Sequence, residues 1–286
     1  MKRFLILFTA VLILLIAFLA FLFIEDGRYA QYEFKPASDN NKRALLLTWS
    51  ADDPSGFWGE YESVHAMLKA LHDSGEIDSV LPFRHEVLKH PDADADWNMS
   101  AIVMFSPRAD VDALSEQILD AVQSGPVAGG FRAADIMKLQ KGLDLLYPVK
   151  NGPSREDALM QTIEYVFSDP ASRVQYYNDQ YVWSGPAMAD LHSRDKTGRF
   201  IGFEVEKRIH SAPGAPEWDL VHVYGFTWWQ LVKSIPFFTS TWNKHAVRAF
   251  GGDATFKGKL REWDEIRLKV ESSAVQNMNF TLQIQN

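Results

Sequence analysis

Two stretches in the last third of the chain carry side chains that could act together on a small molecule. In 218–226, strand alternation puts Trp218, Leu220, His222, Tyr224 and Phe226 on one face and Val221, Val223 and Gly225 on the other. In 200–210 the same rule groups Ile201, Phe203, Val205 and Ile209, with Glu204, Glu206, Arg208 and His210 opposite. If the apolar and small faces pack under helices, one cavity receives His222, Glu206 and Tyr224 as candidate catalytic groups. Glu204, Trp218 and Phe226 then line it as candidate ligand-binding residues. An imidazole titrating near 6.5 suits general acid–base work near neutrality, and a carboxylate such as Glu206 could orient it and raise its pKa. The other reading of His222 is a strand histidine satisfied by a neighbouring carbonyl.

The remaining reactive side chains read as structural. His72 and His192 fall at the ends of helical stretches, where an imidazole can bond the last carbonyls and complement the helix dipole. The pairs Glu86/His90 and Glu206/His210 recur at strand ends, which fits a shared turn, and no convergent set of histidines points to a metal site. There is no cysteine, so disulfides, thiolate metal sites and a cysteine nucleophile are excluded. No phosphate-binding loop, serine elbow or zinc-protease helix is present, and the sequence names no cofactor. Trp228-Trp229 and Phe237-Phe238 suit core packing, or a helix resting on a membrane surface.

The elements that must position these residues are organised by an internal repeat. Tyr61, Leu71, His72, Phe83, Glu86 and His90 recur as Tyr181, Leu191, His192, Phe203, Glu206 and His210, each 120 positions on. After one insertion, Trp97 matches Trp218 and Phe105 matches Phe226, which makes Ala101 the counterpart of His222. In the first copy, 43–49 reads as a buried strand, followed by a helix over 55–71 with Phe57, Tyr61, Val64, Leu68 and Leu71 on one stripe. Gly75 is a helix stop; strands follow at 80–88 and 100–106, then a helix over 111–122 and a strand within 127–139. In the second copy, 143–149 is strand-like and a helical stretch starts near Ser154, whose Ser-Arg-Glu-Asp resembles an N-cap. Strands at 199–210 and 218–226, a mostly helical 228–250, a closing strand at 265–270 and an edge strand near 279–284 complete it.

The order is β-α-β-β-α-β twice, the ferredoxin-like split unit. One sheet face of such a unit is left bare by its helices, and two copies can bury those faces against each other as a pseudo-dimeric α/β barrel. The expected architecture is α+β: an N-terminal transmembrane helix (1–24), a tether (25–42) and two tandem ferredoxin-like βαββαβ repeats, at 43–140 and 141–286.

Phe57-Trp58-x-Glu60-Tyr61-x3-His65, followed by Leu71, Gly75 and a strand, resembles the EthD-like and related dimeric α/β-barrel proteins. The resemblance implies a helix carrying an aromatic residue and a histidine ahead of a barrel strand, and so adds His65 as a candidate ligand-binding residue. Its second-copy counterpart is Gly185, a departure from the pattern. The superfamily holds monooxygenases, isomerases, dehalogenating and haem-handling enzymes and stress proteins, so the fold does not select a reaction.

Phe4 to Ile24 is a run of 21 residues without a charge, following Met1-Lys2-Arg3. As a helix it spans roughly 30 Å, the thickness of a bilayer core. Neither Ala20 nor Ala30 ends a suitable signal-peptidase site, so the expectation is an uncleaved anchor. Basic residues before the span and Glu25-Asp26 after it place the N-terminus in the cytoplasm and the body outside, in the periplasm of a two-membrane bacterium. The net charge is −8 with no basic run, so nucleic acid is not an expected partner; the membrane and a small-molecule ligand are. Two functions follow: a binder or transformer of a small molecule in a cavity of the second repeat, or a non-catalytic scaffold of the cell envelope. Whether catalysis takes place is not decided by the sequence.

Overall fold

A computed structural model describes residues 8–9, 11–16, 42–89, 97–146, 158–167, 169–176, 178–179, 199–215, 218–227, 251, 253–277 and 279–283. Strand β1 (Arg43–Trp49) is buried throughout except at Arg43, because both of its faces are covered. Helix α1 (Phe57–Asp73) buries Phe57, Tyr61, Val64, Leu68 and Leu71, the stripe expected from helical spacing. It ends at Gly75, whose φ of 81° lets its N–H reach the His72 carbonyl and the Glu76 N–H reach that of Leu71. Strands β2 (Ile77–Lys89) and β3 (Met99–Phe105) follow, then α2 (Val111–Ser124), started by Asp110, whose carboxylate accepts the Ala113 N–H at 3.2 Å. A short 3₁₀ turn (Pro126–Gly130) leads into β4 (Phe131–Leu146).

The second half contributes β5 (Ala158–Phe167), β6 (Arg199–Ser211), β7 (Leu220–Thr227), α3 (Asp253–Ile266), β8 (Arg267–Gln276) and the short β9 (Leu282–Gln283). Every pairing is antiparallel, in the order β3-β1-β4-β6-β7-β5-β8-β2, and β2 also pairs with β3. That last pairing curls the sheet into an eight-strand ring, with β9 added along β2. Each half supplies four consecutive strands of the ring in the same internal order, second-third-first-fourth.

Two apolar clusters define the layers. One joins Leu45, Leu47, Trp49, Ala101, Val103, Ala134 and Ile136 to the buried stripes of α1 and α2, and so lies outside the ring under its first helices. The other joins Ala44, Leu46, Phe83, Ile102, Met137, Phe203, Val221, Val223 and Ala274, from strands all round the ring, and so fills its interior.

Several sequence expectations move. Residues 143–146 are not a separate strand but the tail of β4. The first strand of the second half is β5, within the stretch where the cap-like Ser154 had suggested a helix. The run Thr162-Ile163-Glu164-Tyr165-Val166-Phe167 is β-branched and aromatic, and its pairing with β7 and β8 outweighs a local start signal. Residues 265–266 close α3, and the last long strand starts at Arg267. The expected helix over 228–250 lies wholly outside the described residues, as do Tyr181, Gly185, Leu191 and His192. Of the expected anchor, 8–9 and 11–16 are described and are helical and exposed; the rest of Phe4 to Ile24 lies outside the described residues. Among the described residues no helix is long and apolar enough to cross a membrane.

Candidate functional site

His222 is fully buried in β7, between Ile163 of β5 and Gly202 of β6. Its strand neighbours Val221 and Val223 belong to the interior cluster, so by alternation His222 faces outward, into the layer beneath the second half's helices. This inverts the expected arrangement. Alternation correctly grouped Phe203 with Val205, and Val221 with Val223, but those are the faces that fill the ring, and the His222 face lies outside it. The physical reason is that a ring coated by helices has two apolar compartments, so an apolar face can point to either of them.

The expected catalytic pair is also separated. The strand opposite His222 presents Gly202, and Glu206 is four residues further along β6, roughly 13 Å at the rise of an extended chain. Glu206 instead meets the Arg43 Nε at 2.8 Å, and Glu204 lies 3.7 Å from the Arg173 Nε, both on partly exposed surface. Neither carboxylate can orient His222. Its pKa is accordingly not raised but pushed down to about 3, by burial first and then by the charge of Arg267. Tyr224 and Phe226 follow in β7, and their side chains lie outside the described residues.

Trp218 parts from His222 as well. It precedes β7 by two residues and turns into the interior cluster, where its ring meets that of Trp97. His65 belongs to a third place, on α1, with its ring 5.0 Å from that of Phe280 and 6.4 Å from that of Tyr61. Burial, then the Lys69 charge, lower the His65 pKa against an opposing contribution from Glu62.

What accompanies His222 in the outer layer was not read from the sequence. Arg267, the first residue of β8, is 9% exposed at its side chain and donates from Nη1 to the Tyr176 hydroxyl at 2.7 Å. Its guanidinium carbon lies 4.9 Å from the Tyr176 ring centre and 5.7 Å from that of Trp263. Both rings are buried and meet edge to face at 5.3 Å. Trp263 on α3 donates from Nε1 to Asp179 at 2.9 Å, and Lys259 bridges Asp179 and Glu262 at 3.2 and 3.0 Å. This network fixes the position of a nearly buried cation beside the His222 layer. A signal was available in the sequence: Arg267 opens a strand directly after the acidic run Glu262, Asp264 and Glu265. Among the described residues no three metal-ligating side chains converge.

No protein-family model matches the chain, and no curated protein matches it. Among solved structures it is similar to an anthrone oxidase-like protein, at 13% identity and a TM-score of 0.45, covering 87% of this chain and 99% of that one. It is also similar to a variant chlorite dismutase from Candidatus Nitrospira defluvii, at 12% identity and a TM-score of 0.42, covering 85% and 94%. Likeness of this strength carries no argument about ligand or reaction. The class rests on the chain's own geometry: an α+β protein whose antiparallel sheet curls into a ring with helices packed outside it, the form of a ferredoxin-like α/β barrel.

Proposed function

We propose that this chain is a membrane-anchored α/β barrel that binds a small molecule in the outer layer of its second half, around His222. The observation that carries this reading is an asymmetry between the halves. Ala101, the repeat counterpart of His222, sits in a layer under α1 and α2 whose fully buried polar groups are the uncharged Trp49 indole N–H and the Tyr61 and Ser115 hydroxyls. The matching layer of the second half holds a fully buried imidazole and a nearly buried guanidinium. A cation is costlier to bury than a neutral hydroxyl or indole, and placing one beside a buried imidazole in only one of the two layers fits a binding site.

With its pKa near 3, His222 is a neutral imidazole at physiological pH. A neutral imidazole is suited to holding a ligand or accepting a proton transiently, and not to storing a proton for general-acid work. Arg267, whose Nη2 also lies 3.3 Å from the exposed Asp264 carboxylate, is the cation placed nearby for an electron-rich group. Tyr224 and Phe226, at alternate positions from His222, are the proposed lining. The proposal includes a tandem of two ferredoxin-like repeats, at 43–140 and 141–286, of the EthD-like kind suggested by Phe57, Tyr61 and His65. A scaffold reading calls for an exposed apolar patch on the body; among the described residues the large exposed apolar side chains are Val174 and those of 8–16.

Native mass spectrometry and visible absorption of the detergent-purified full chain test the site. A co-purifying molecule is expected, and His222→Gln and Arg267→Gln should each lower its occupancy about tenfold, the effect of losing one charged or buried hydrogen bond. Unchanged occupancy in both folded variants refutes the site. Exposed apolar residues at 8 and 11–16, after Lys2-Arg3, support the anchor and an extracytoplasmic body. Protease added to intact spheroplasts should digest the body beyond Glu25, and full protection would reverse the orientation.

A further inference from the structure

The ring interior holds a second set of polar groups, at the end where β2 connects to β3 and β6 to β7. Strands β3 and β7 stand four places apart among eight, on opposite walls of the ring. Trp97 and Trp218 each precede one of these strands by two residues, yet their rings meet edge to face with centroids 5.9 Å apart. They reach across the interior and meet near its axis. Thr48 shares the inward face of β1 with Ala44 and Leu46, and lies beside Ser100 of β3.

Trp97, Trp218 and Thr48 are 2%, 4% and 1% exposed, and neither indole Nε1 nor the Thr48 Oγ1 has a hydrogen-bond partner in the described structure. An indole N–H can only donate, and a buried donor left unmet costs about 1–3 kcal/mol. These three unmet groups adjoin one another at one end of one compartment, and buried polar groups of this kind call for a partner. Their polar neighbours are satisfied: His85 Nε2 lies 2.7 Å from the Ser100 Oγ, and Arg208 grips Asp135 through two bonds of 2.7 and 3.0 Å. Arg208 also lies over the Trp218 ring, at 5.2 Å. Its charge is cancelled by Asp135, and burial pushes the His85 pKa down to about 3, leaving that ring neutral. An ionised guest would find no net opposite charge here, which makes its burial prohibitive.

We propose that this end of the barrel interior binds a small uncharged molecule through a carbonyl-type oxygen, which accepts from Trp97, Trp218 and Thr48 while its body packs on the indoles. A ring of eight strands is the size at which the interior either packs solid or holds one small ligand, and the unmet donors mark this end for the second. The site lies on the opposite face of the sheet from His222 and does not rest on that reading.

Three probes of one ring size separate the possibilities: acetophenone, benzoate and ethylbenzene, titrated into the full-length protein in detergent with indole fluorescence as the readout. Acetophenone should bind saturably, and ethylbenzene, which lacks the acceptor, at least about fivefold more weakly, as one neutral hydrogen bond dictates. Trp97→Phe and Trp218→Phe keep a ring and lose the N–H, and each should weaken acetophenone about fivefold. Thr48→Val keeps the shape, weakens acetophenone likewise, and should melt no lower than the parent without a probe, because the hydroxyl it removes was unmet. The proposal is overturned by absent saturable binding, by equal binding of ethylbenzene, by preference for benzoate, or by unchanged affinity in Thr48→Val. His222→Gln and Arg267→Gln should leave acetophenone binding intact; loss there would assign the probe to the outer layer and overturn the interior site.

Discussion

Arg208→Met should melt roughly 10 °C below the parent, the largest loss expected from any single polar substitution in the ring. The Arg208 side chain is 18% exposed and Asp135 is fully buried, joined by two near-parallel bonds. Removing Arg208 takes the bidentate counter-charge from a fully buried carboxylate, and breaking such a pair costs roughly 3–5 kcal/mol. For a body of this size each kcal/mol moves the midpoint by about 2–4 °C. The double variant Asp135→Leu/Arg208→Met removes both charges and should recover most of the loss, since a buried pair rarely outperforms apolar groups of equal volume. Thermal melts of the parent, both single variants and the double variant form a closed cycle. Additive losses across the cycle would show that the two side chains are not coupled.

That ion pair also shows where sequence reading stops. Simple alternation put Arg208 with Glu204 and Glu206, on the face opposite Phe203. The β4–β6 register slips between Ile136 and Met137 and again between Ala134 and Asp135, so that Lys207 stands opposite Ile136 and Arg208 opposite Asp135. A bulge adds one residue and exchanges the faces beyond it, turning Arg208 inward while Glu206 stays outside with Arg43. Nothing local in the sequence marks such a slip, because it is set by the partner strand. The helical stripes were legible for the opposite reason. Leu114, Ile118 and Val122 of α2, like the five buried residues of α1, are fixed by a 3.6-residue period that no neighbour can shift.

Of the expected site the sequence isolated His222, and the structure disperses Glu204, Glu206, Trp218 and His65 from it. Period two tells which side chains share a face and is silent on which face is inside; for a ring coated by helices both faces are apolar, so the usual cue fails. His222 was singled out as the polar ring among large apolar ones, which its complete burial supports. The proposed partner was wrong because the pairing register sets Gly202, and not Glu206, beside it. Arg267 and Tyr176 come from segments 91 residues apart, a contact that no spacing rule reaches. The repeat carried the most information: Trp97 and Trp218, matched in sequence, stand at equivalent ends of equivalent strands and touch.

Acidification from pH 7 to pH 4.5 should cost the protein roughly 5 kcal/mol through His85 and His222 together, from about 1.4 kcal/mol per pKa unit for each ring. Burial holds both imidazoles near pKa 3 in the folded chain, against 6.5 as the unperturbed value. Between those values the unfolded chain takes up a proton at each ring and the folded chain does not. Stability therefore rises with pH across this window; it is complete above about 6.5 and declines steadily as pH falls toward 3. The two histidines sit on opposite sides of the sheet, His85 against Trp97 in the interior and His222 in the outer layer, so their contributions should add. His85→Gln and His222→Gln each remove one titrating ring and should each halve the acid loss that histidine causes, whatever they do to stability at pH 7. Urea unfolding at pH 7 and pH 4.5 reads the difference directly. A His222→Gln variant that loses as much stability on acidification as its parent would mean that His222 is already open to protonation in the folded chain, and the buried neutral imidazole on which its binding role rests would not exist.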